Sequence, residues 1–348
     1  MQAAVVDVRE PGSWLCILNR ITAFLRDRGA EQFPHAHQRA LYEHLLGTGE
    51  ILGRWSQPAS LQLAGLLHSI YATDKYHRQL MEFSRRSEVQ ELAGSDAERL
   101  AFLFCVTSRS DFWNQLAQSA VVGETGLRIK RHFGGQEMGE DVSREDVRSL
   151  IVLHMANAAD QACASNGAPG RWLARASWMG SRLRQFEGPL PPVFSCCMDM
   201  INDVEEGAAR DAYRKGVDTV AQNPSQAAQH FANAAAACPH VAEPMIWMAY
   251  TCLHSGDSAG ALHYILRARR TLLEWGVPWD KRLDFRGWMR FLAFLEQASQ
   301  DSSRHAFRLS AGIMKTVDLY RSLKGLESTD CEEIRALEKS SACMQAGG

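Results

Sequence analysis

The chain has 348 residues, more than one hydrophobic core commonly serves, so two domains are expected. Its 38 basic and 40 acidic residues leave a net charge of -2, and the Lys/Arg residues form no stripe interleaved with aromatics, which argues against a nucleic-acid partner. No apolar run approaches the ~20 residues that span a bilayer, and residues 1–10 lack the basic-then-apolar start of a secretory signal. Nine cysteines, an odd number with no C-x-x-C pair, exclude the usual zinc-ribbon and redox motifs and fit a reducing cytoplasm.

Nearly every periodic segment reads as helix, so the expected fold class is all-α. Leu15, Leu18, Ile21, Phe24 and Leu25 recur at three- and four-residue steps over 13–28, and Gly29 stops the run. Pro34 precedes a second helix running to Leu52, with Leu41, Leu45 and Ile51 inward. Pro58-Ala59-Ser60 starts a third over 61–70, apolar nearly all round and therefore expected to be buried. A fourth covers 96–105, capped by Ser95 or Asp96. The glycine-rich stretch 133–141 is a candidate short hairpin. Ser143-Arg144-Glu145-Asp146 is an S-x-x-D start for a helix over 147–164.

Breaks follow at 165–170 and at 187–192, where the cluster Pro189, Pro191 and Pro192 marks the domain boundary. The first domain is thus 1–187 and the second 193–340. Within the second, an offset of 34 residues aligns Tyr213 with Trp247, Ala227 with Ala261, Phe231 with Ile265 and Ala234 with Ala268. A small residue at a helix crossing and a large one a turn later are what stacked helix pairs need. The region resembles tetratricopeptide repeats, with an eroded third copy over 279–297 and a frayed tail after Ser340. Such repeats imply a concave surface for a protein, a peptide or a carrier that presents a substrate.

The candidate chemistry lies in histidines. His37 and His44 are two turns apart on the second helix, within about 20 degrees on one face. His68 ends the third helix, and His154, Asn157 and Asp160 share a face of the helix before the first break. Imidazoles that converge with a carboxylate from separate helices can hold iron, manganese or zinc. Ser69 and Tyr71 bring hydroxyls that either orient a ligand or bond a helix end. His35, His77, His132, His230, His240, His254, His263 and His305 read as ordinary core or surface residues. Glu98 and Arg99 read as members of ion pairs, and the tryptophans 275, 279 and 288 as core.

His44, then His68-Ser69 after the apolar helix Ala64-Gly65-Leu66-Leu67, then Asn157 and Asp160, resembles the HD-domain superfamily. More narrowly, His44-Leu45-Leu46-Gly47-Thr48, Trp55, Gly65-Leu66-Leu67-His68-Ser69-Ile70-Tyr71 and Ala97-Glu98-Arg99-Leu100 are similar to an uncharacterised HD-like family of unknown function. The resemblance covers roughly 35–165. It implies a helical bundle with a mono- or dinuclear metal centre that hydrolyses phosphate esters or, with di-iron, oxidises small substrates. Carried over by position, His44 and His68 are ligands, Asn157 or Asp160 is the last, and the bridging aspartate falls on Ser69. A serine lacks the charge and second oxygen of a bridge, which favours one metal. Two functions stand: a metal-dependent enzyme acting on a small molecule, with His37, His44, His68, Asn157 and Asp160 as metal residues and Ser69 and Tyr71 as catalytic ones; or an inactive HD-like scaffold that binds a protein or peptide partner.

Overall fold

The computed structural model describes residues 11–35, 39–118, 121–132, 138–162, 169, 171–187, 190 and 201–300. They form an all-α protein: thirteen α-helices and a single two-stranded sheet among the described residues. The chain divides into two compact units, the first made of Met1–Gln161 and Trp178–Pro191, the second of Ala162–Ser177 and Pro192–Gly348.

The first unit contains α1 (Pro11–Asp27), α2 (Leu41–Arg54), α3 (Ala59–Leu67), α4 (Arg86–Ala93), α5 (Ser95–Val106), α6 (Arg109–Gln118), strands β1 (Leu127–Lys130) and β2 (Gly139–Val142), and α7 (Arg144–Gln161). At its centre is α3, with Leu61, Leu63, Ala64, Gly65, Leu66 and Leu67 all buried, packed by α2, α5 and α7. A nine-residue helix is marginal by propensity alone, so burial of its leucines, roughly 1.5–3 kcal/mol each, sets its place. The approach to α2 is made possible by two glycines. A Cβ on Gly49 would meet Leu66 Cδ2 at 2.6 Å, and one on Gly65 would meet Leu52 Cδ1 at 2.6 Å. The crossing of α2 and α3 at these residues carries the ends of both helices into one neighbourhood.

The S-x-x-D start of α7 is realised in both directions: Ser143 Oγ accepts from Asp146 N at 3.1 Å and donates to Asp146 Oδ2 at 2.8 Å. The strands β1 and β2 are antiparallel, Leu127 facing Val142 and Lys130 facing Gly139. The sheet therefore flanks the glycine-rich stretch, whose residues 133–137 lie outside the described set. Helix α2 begins at Leu41 rather than near Pro34, since Pro34 pairs with Ala40 as an isolated antiparallel bridge. His37 lies outside the described residues.

The second unit contains α9 (Asp203–Thr219), α10 (Pro224–Ala237), α11 (Glu243–His254), α12 (Ser258–Trp275) and α13 (Phe285–Gln300), each packed on its neighbour in sequence. All eight residues aligned by the 34-residue offset are buried, and Trp247 Nε1 donates to Tyr213 Oη at 2.9 Å. Gly216 sits against Phe231, where a Cβ would approach the ring to 2.6 Å. Residues 162–177 belong to this unit, whereas the proline cluster places them in the first. The physical reason is Glu206. Its buried carboxylate accepts the backbone N–H groups of Trp172 and Leu173 at 2.9 Å and of Ala174 at 3.0 Å, closing the start of α8 (Leu173–Ser181). Arg210 Nε also donates to Pro169 O at 2.7 Å. Trp275, Trp279 and Trp288 are core residues. No described helix is long and apolar enough to cross a membrane.

Candidate functional site

Three polar atoms from three helical elements meet inside the first unit. His44 comes from the first turn of α2, His68 from the residue that ends α3, and Asn157 from the buried face of α7. His44 Nε2 lies 3.0 Å from His68 Nε2 and 3.1 Å from Asn157 Oδ1, and His68 Nε2 lies 3.0 Å from that same oxygen. All three side chains are almost fully withdrawn from solvent, at 1%, 0% and 4% exposure.

The outer nitrogens of both rings fix the tautomers. His44 Nδ1–H donates to Asp160 Oδ2 at 2.6 Å, and His68 Nδ1–H donates to Gly65 O at 2.7 Å. Burial, and next the neighbouring His44, hold His68 well below the usual imidazole range, so its Nε2 carries no proton. The amide oxygen of Asn157 faces both Nε2 atoms across one space.

Asp160 stands behind this triangle rather than in it. Its Oδ2 also accepts from Arg39 at 3.1 Å, while Oδ1 lies against Gly47. Hence Asp160, a candidate ligand by sequence, orients His44 instead. Ser69 is buried beside the cluster and lines a cleft of about 320 Å³ together with Asn157, His35, Lys75, Arg109 and Gln161.

Tyr71 is not brought to the cleft. Its hydroxyl donates to Glu98 at 3.0 Å, a buried carboxylate that also receives Arg86 at 2.6 Å and Gln90 at 3.1 Å. Its role is in the core. His154 is also elsewhere, packed against Phe104, Phe112 and Trp113. Arg99 pairs with Asp146 on α7.

Several residues near the site escaped the sequence reading. His35 stacks on His44 with ring centroids 4.3 Å apart, and Gln161 Nε2 donates to His35 Nε2 at 3.0 Å. Burial, then the neighbouring His44, pushes the His35 imidazole down to about 4. His35 lies outside the helical register that singled out His44, so periodicity could not find it. Arg39 carried one usable signal, its place next to the start of an amphipathic helix. Lys75 and Arg109 have no spacing relation to the histidines and enter through the fold alone.

The loop between α3 and the cleft wall is closely bonded. Thr73 N donates to Tyr76 O at 2.7 Å, Tyr76 N returns to Thr73 O at 3.3 Å, and Ala72 takes a φ of +67°. A left-handed alanine is strained, and it sits four residues from His68.

Among the described residues, no group of three or more His, Cys, Asp and Glu side chains is placed to hold a metal ion. The third donor at this site is an amide. Residues 24–109 match a family described as a domain of unknown function (DUF6817), a stretch that includes His44, His68 and Ser69 and stops short of Asn157 and Asp160. No curated protein and no solved structure matches the chain.

Proposed function

We propose that the first unit holds one divalent metal ion (iron, manganese or zinc) on His44 Nε2, His68 Nε2 and Asn157 Oδ1 and acts on a small molecule in the adjoining cleft. The carrying observation is the triangle of His44 Nε2, His68 Nε2 and Asn157 Oδ1, with edges of 3.0–3.1 Å. Three lone pairs facing one another repel unless a cation or proton lies among them. A metal–donor bond of about 2.1 Å puts neighbouring donors of an octahedral ion about 3.0 Å apart. The surroundings agree, since each imidazole donates its other N–H to a carboxylate or a backbone carbonyl, the usual arrangement behind a metal-bound histidine.

Such an ion polarises a substrate oxygen or, if it is iron, supports redox chemistry. The chain's own residues keep the imidazoles aimed and dry. Asp160 and the Gly65 carbonyl fix the rings, Arg39 balances Asp160, and the stacked His35 covers His44. Ser69 in place of a bridging carboxylate favours one ion over two, and therefore single-metal oxidation or hydrolysis over two-metal phosphoester cleavage. This is the HD-like reading carried by the resemblance, with Asn157 taken as the last ligand out of Asn157 or Asp160.

The test is elemental analysis of protein purified without a histidine tag. About one equivalent of iron, manganese or zinc is expected, absent from folded His44→Ala and His68→Ala variants. Protein that takes up no metal on reconstitution with any of the three overturns the reading.

A second reading has one observation in its favour. Turned over, the Asn157 amide donates a hydrogen to each Nε2, which satisfies the cluster without a cation. The unit is then an inert HD-like scaffold, and the helical repeats of the second unit supply the working surface for a protein or carrier partner. A captured partner released by substitutions on α10 or α12, with metal content nil, favours it.

A further inference from the structure

The set of atoms at the site is short of negative charge. Two imidazoles and an amide oxygen, none of them a carboxylate, surround the space where a divalent ion fits, and the neighbouring Ser69 contributes a hydroxyl. The nearest carboxylate, Asp160, is already shared by the Arg39 guanidinium at 3.1 Å and the His44 N–H at 2.6 Å. The cleft adds positive charge. Lys75 and Arg109 are among the residues lining it, and among the described residues no carboxylate does so. Asp74 partly offsets Arg109, with Oδ1 at 3.7 Å from its Nε, and Asp74 Oδ2 accepts the Arg109 backbone N–H at 3.1 Å. That pairing fixes Arg109 in place. Lys75 is held by its backbone, whose N–H donates to Thr73 Oγ1 at 3.3 Å in the strained loop after Ala72. An enclosed divalent ion on neutral ligands, faced by two cationic side chains, is electrostatically incomplete.

We infer that the substrate is a small oxyanion, a carboxylate or a phosphate, whose own charge replaces the carboxylates missing at Asn157 and Ser69 and whose outer oxygens meet Lys75 and Arg109. This rests on the metal reading. The cleft's volume of about 320 Å³ suits a compact ligand, at the lower end of small-molecule sites. Because the anion and the ion neutralise each other, they bind cooperatively, and each tightens the other by the same factor.

The test is calorimetric titration of inorganic phosphate, and separately of oxalate, into the full chain with and without one equivalent of Mn²⁺. The proposal expects at least one anion to bind about tenfold or more tightly to the Mn²⁺-loaded protein, within the usual range of coupling between sites. Phosphate alone showing the effect identifies a phosphate-bearing substrate, and oxalate alone a carboxylate. Lys75→Ala, at an exposed position that tolerates truncation, weakens the anion several-fold while Mn²⁺ still binds. Asn157→Asp, which returns a charge to the ligand set, tightens Mn²⁺ and cuts the coupling to about threefold or less. Equal anion affinity with and without bound Mn²⁺, or a coupling unchanged in Asn157→Asp, overturns the inference and leaves the metal site standing. Failure of the wild-type chain to bind Mn²⁺, Fe²⁺ or Zn²⁺ overturns both.

Discussion

Gly47 lies directly against Asp160: a Cβ added to this glycine would come within 2.1 Å of Oδ1 and 2.9 Å of Cγ. That carboxylate reaches His44 from α7 past a residue of α2 with no side chain. Gly47→Ala is therefore expected to destabilise the first unit by about 1–3 kcal/mol, the usual range for overpacking, and to lower metal content together with stability. Urea unfolding and elemental analysis of the same preparation check this.

Asp160→Asn keeps the shape of the side chain but removes the charge that holds the His44 tautomer. A fall of about 10–100-fold in metal affinity is expected, the range seen when groups behind a metal-bound histidine are changed. Competition with a chelator measures it. An unchanged affinity means that Asp160 does not position His44.

Glu98 is fully buried and receives Arg86, Tyr71 and Gln90. Glu98→Ala strands the Arg86 guanidinium over the Phe102 ring, 3.6 Å from its centroid, and leaves the Tyr71 hydroxyl without an acceptor. Since Arg86 keeps about a third of its surface in water, the expected cost is about 3 kcal/mol, at the lower end for a broken buried pair. Equilibrium unfolding is the measurement, with Glu98→Gln expected to lose less because it still accepts from Tyr71.

In the second unit, burial and then the charge of Asp280 push the Glu243 carboxyl up to about 7. Its folded value is above its unfolded value, so the folded state holds a proton that the unfolded state releases. Stability from this group is full below the unfolded pKa, near 4.5, and is lost as pH rises towards about 7. Thermal unfolding of the second unit, followed between those limits, is expected to show that decline in the wild type and a flatter profile in Glu243→Gln. The amide still accepts the Asp280 backbone N–H that the carboxylate receives at 3.1 Å.

Much of this arrangement is written locally. The all-round apolarity of Leu61 to Leu67 marks a central helix, Ser143 with Asp146 marks a helix start, and the 34-residue offset picks out buried seam residues such as Tyr213 and Trp247. His44, His68 and Asn157 were recognisable as partners because each lies on or ends a well-patterned helix. What stayed hidden depends on contacts between distant segments. Gly47, Gly49 and Gly65 look like ordinary helical glycines until the facing helix is in place. α4 buries only Val89, and α6 buries three of its ten residues, so neither shows a strong period. β1 is four residues long and carries one buried side chain, Ile129. The sequence left Asn157 and Asp160 as equal candidates beside His44 and His68 for a related reason. A carboxylate looks like the better ligand on paper, and only the position of Arg39 shows that its charge is already engaged.

Glu206 also decides where the polypeptide can be cut. A chain shortened at the proline run after residue 187 parts Trp172, Leu173 and Ala174 from the acid that receives their amides, stranding an ionisable group at 1% exposure in the remaining half. Severing the chain between 161 and 162 leaves that clasp whole but takes Trp178–Pro191, and with it the Gln185 carbonyl that receives Arg144, away from the first unit, so no single cut separates the two units cleanly.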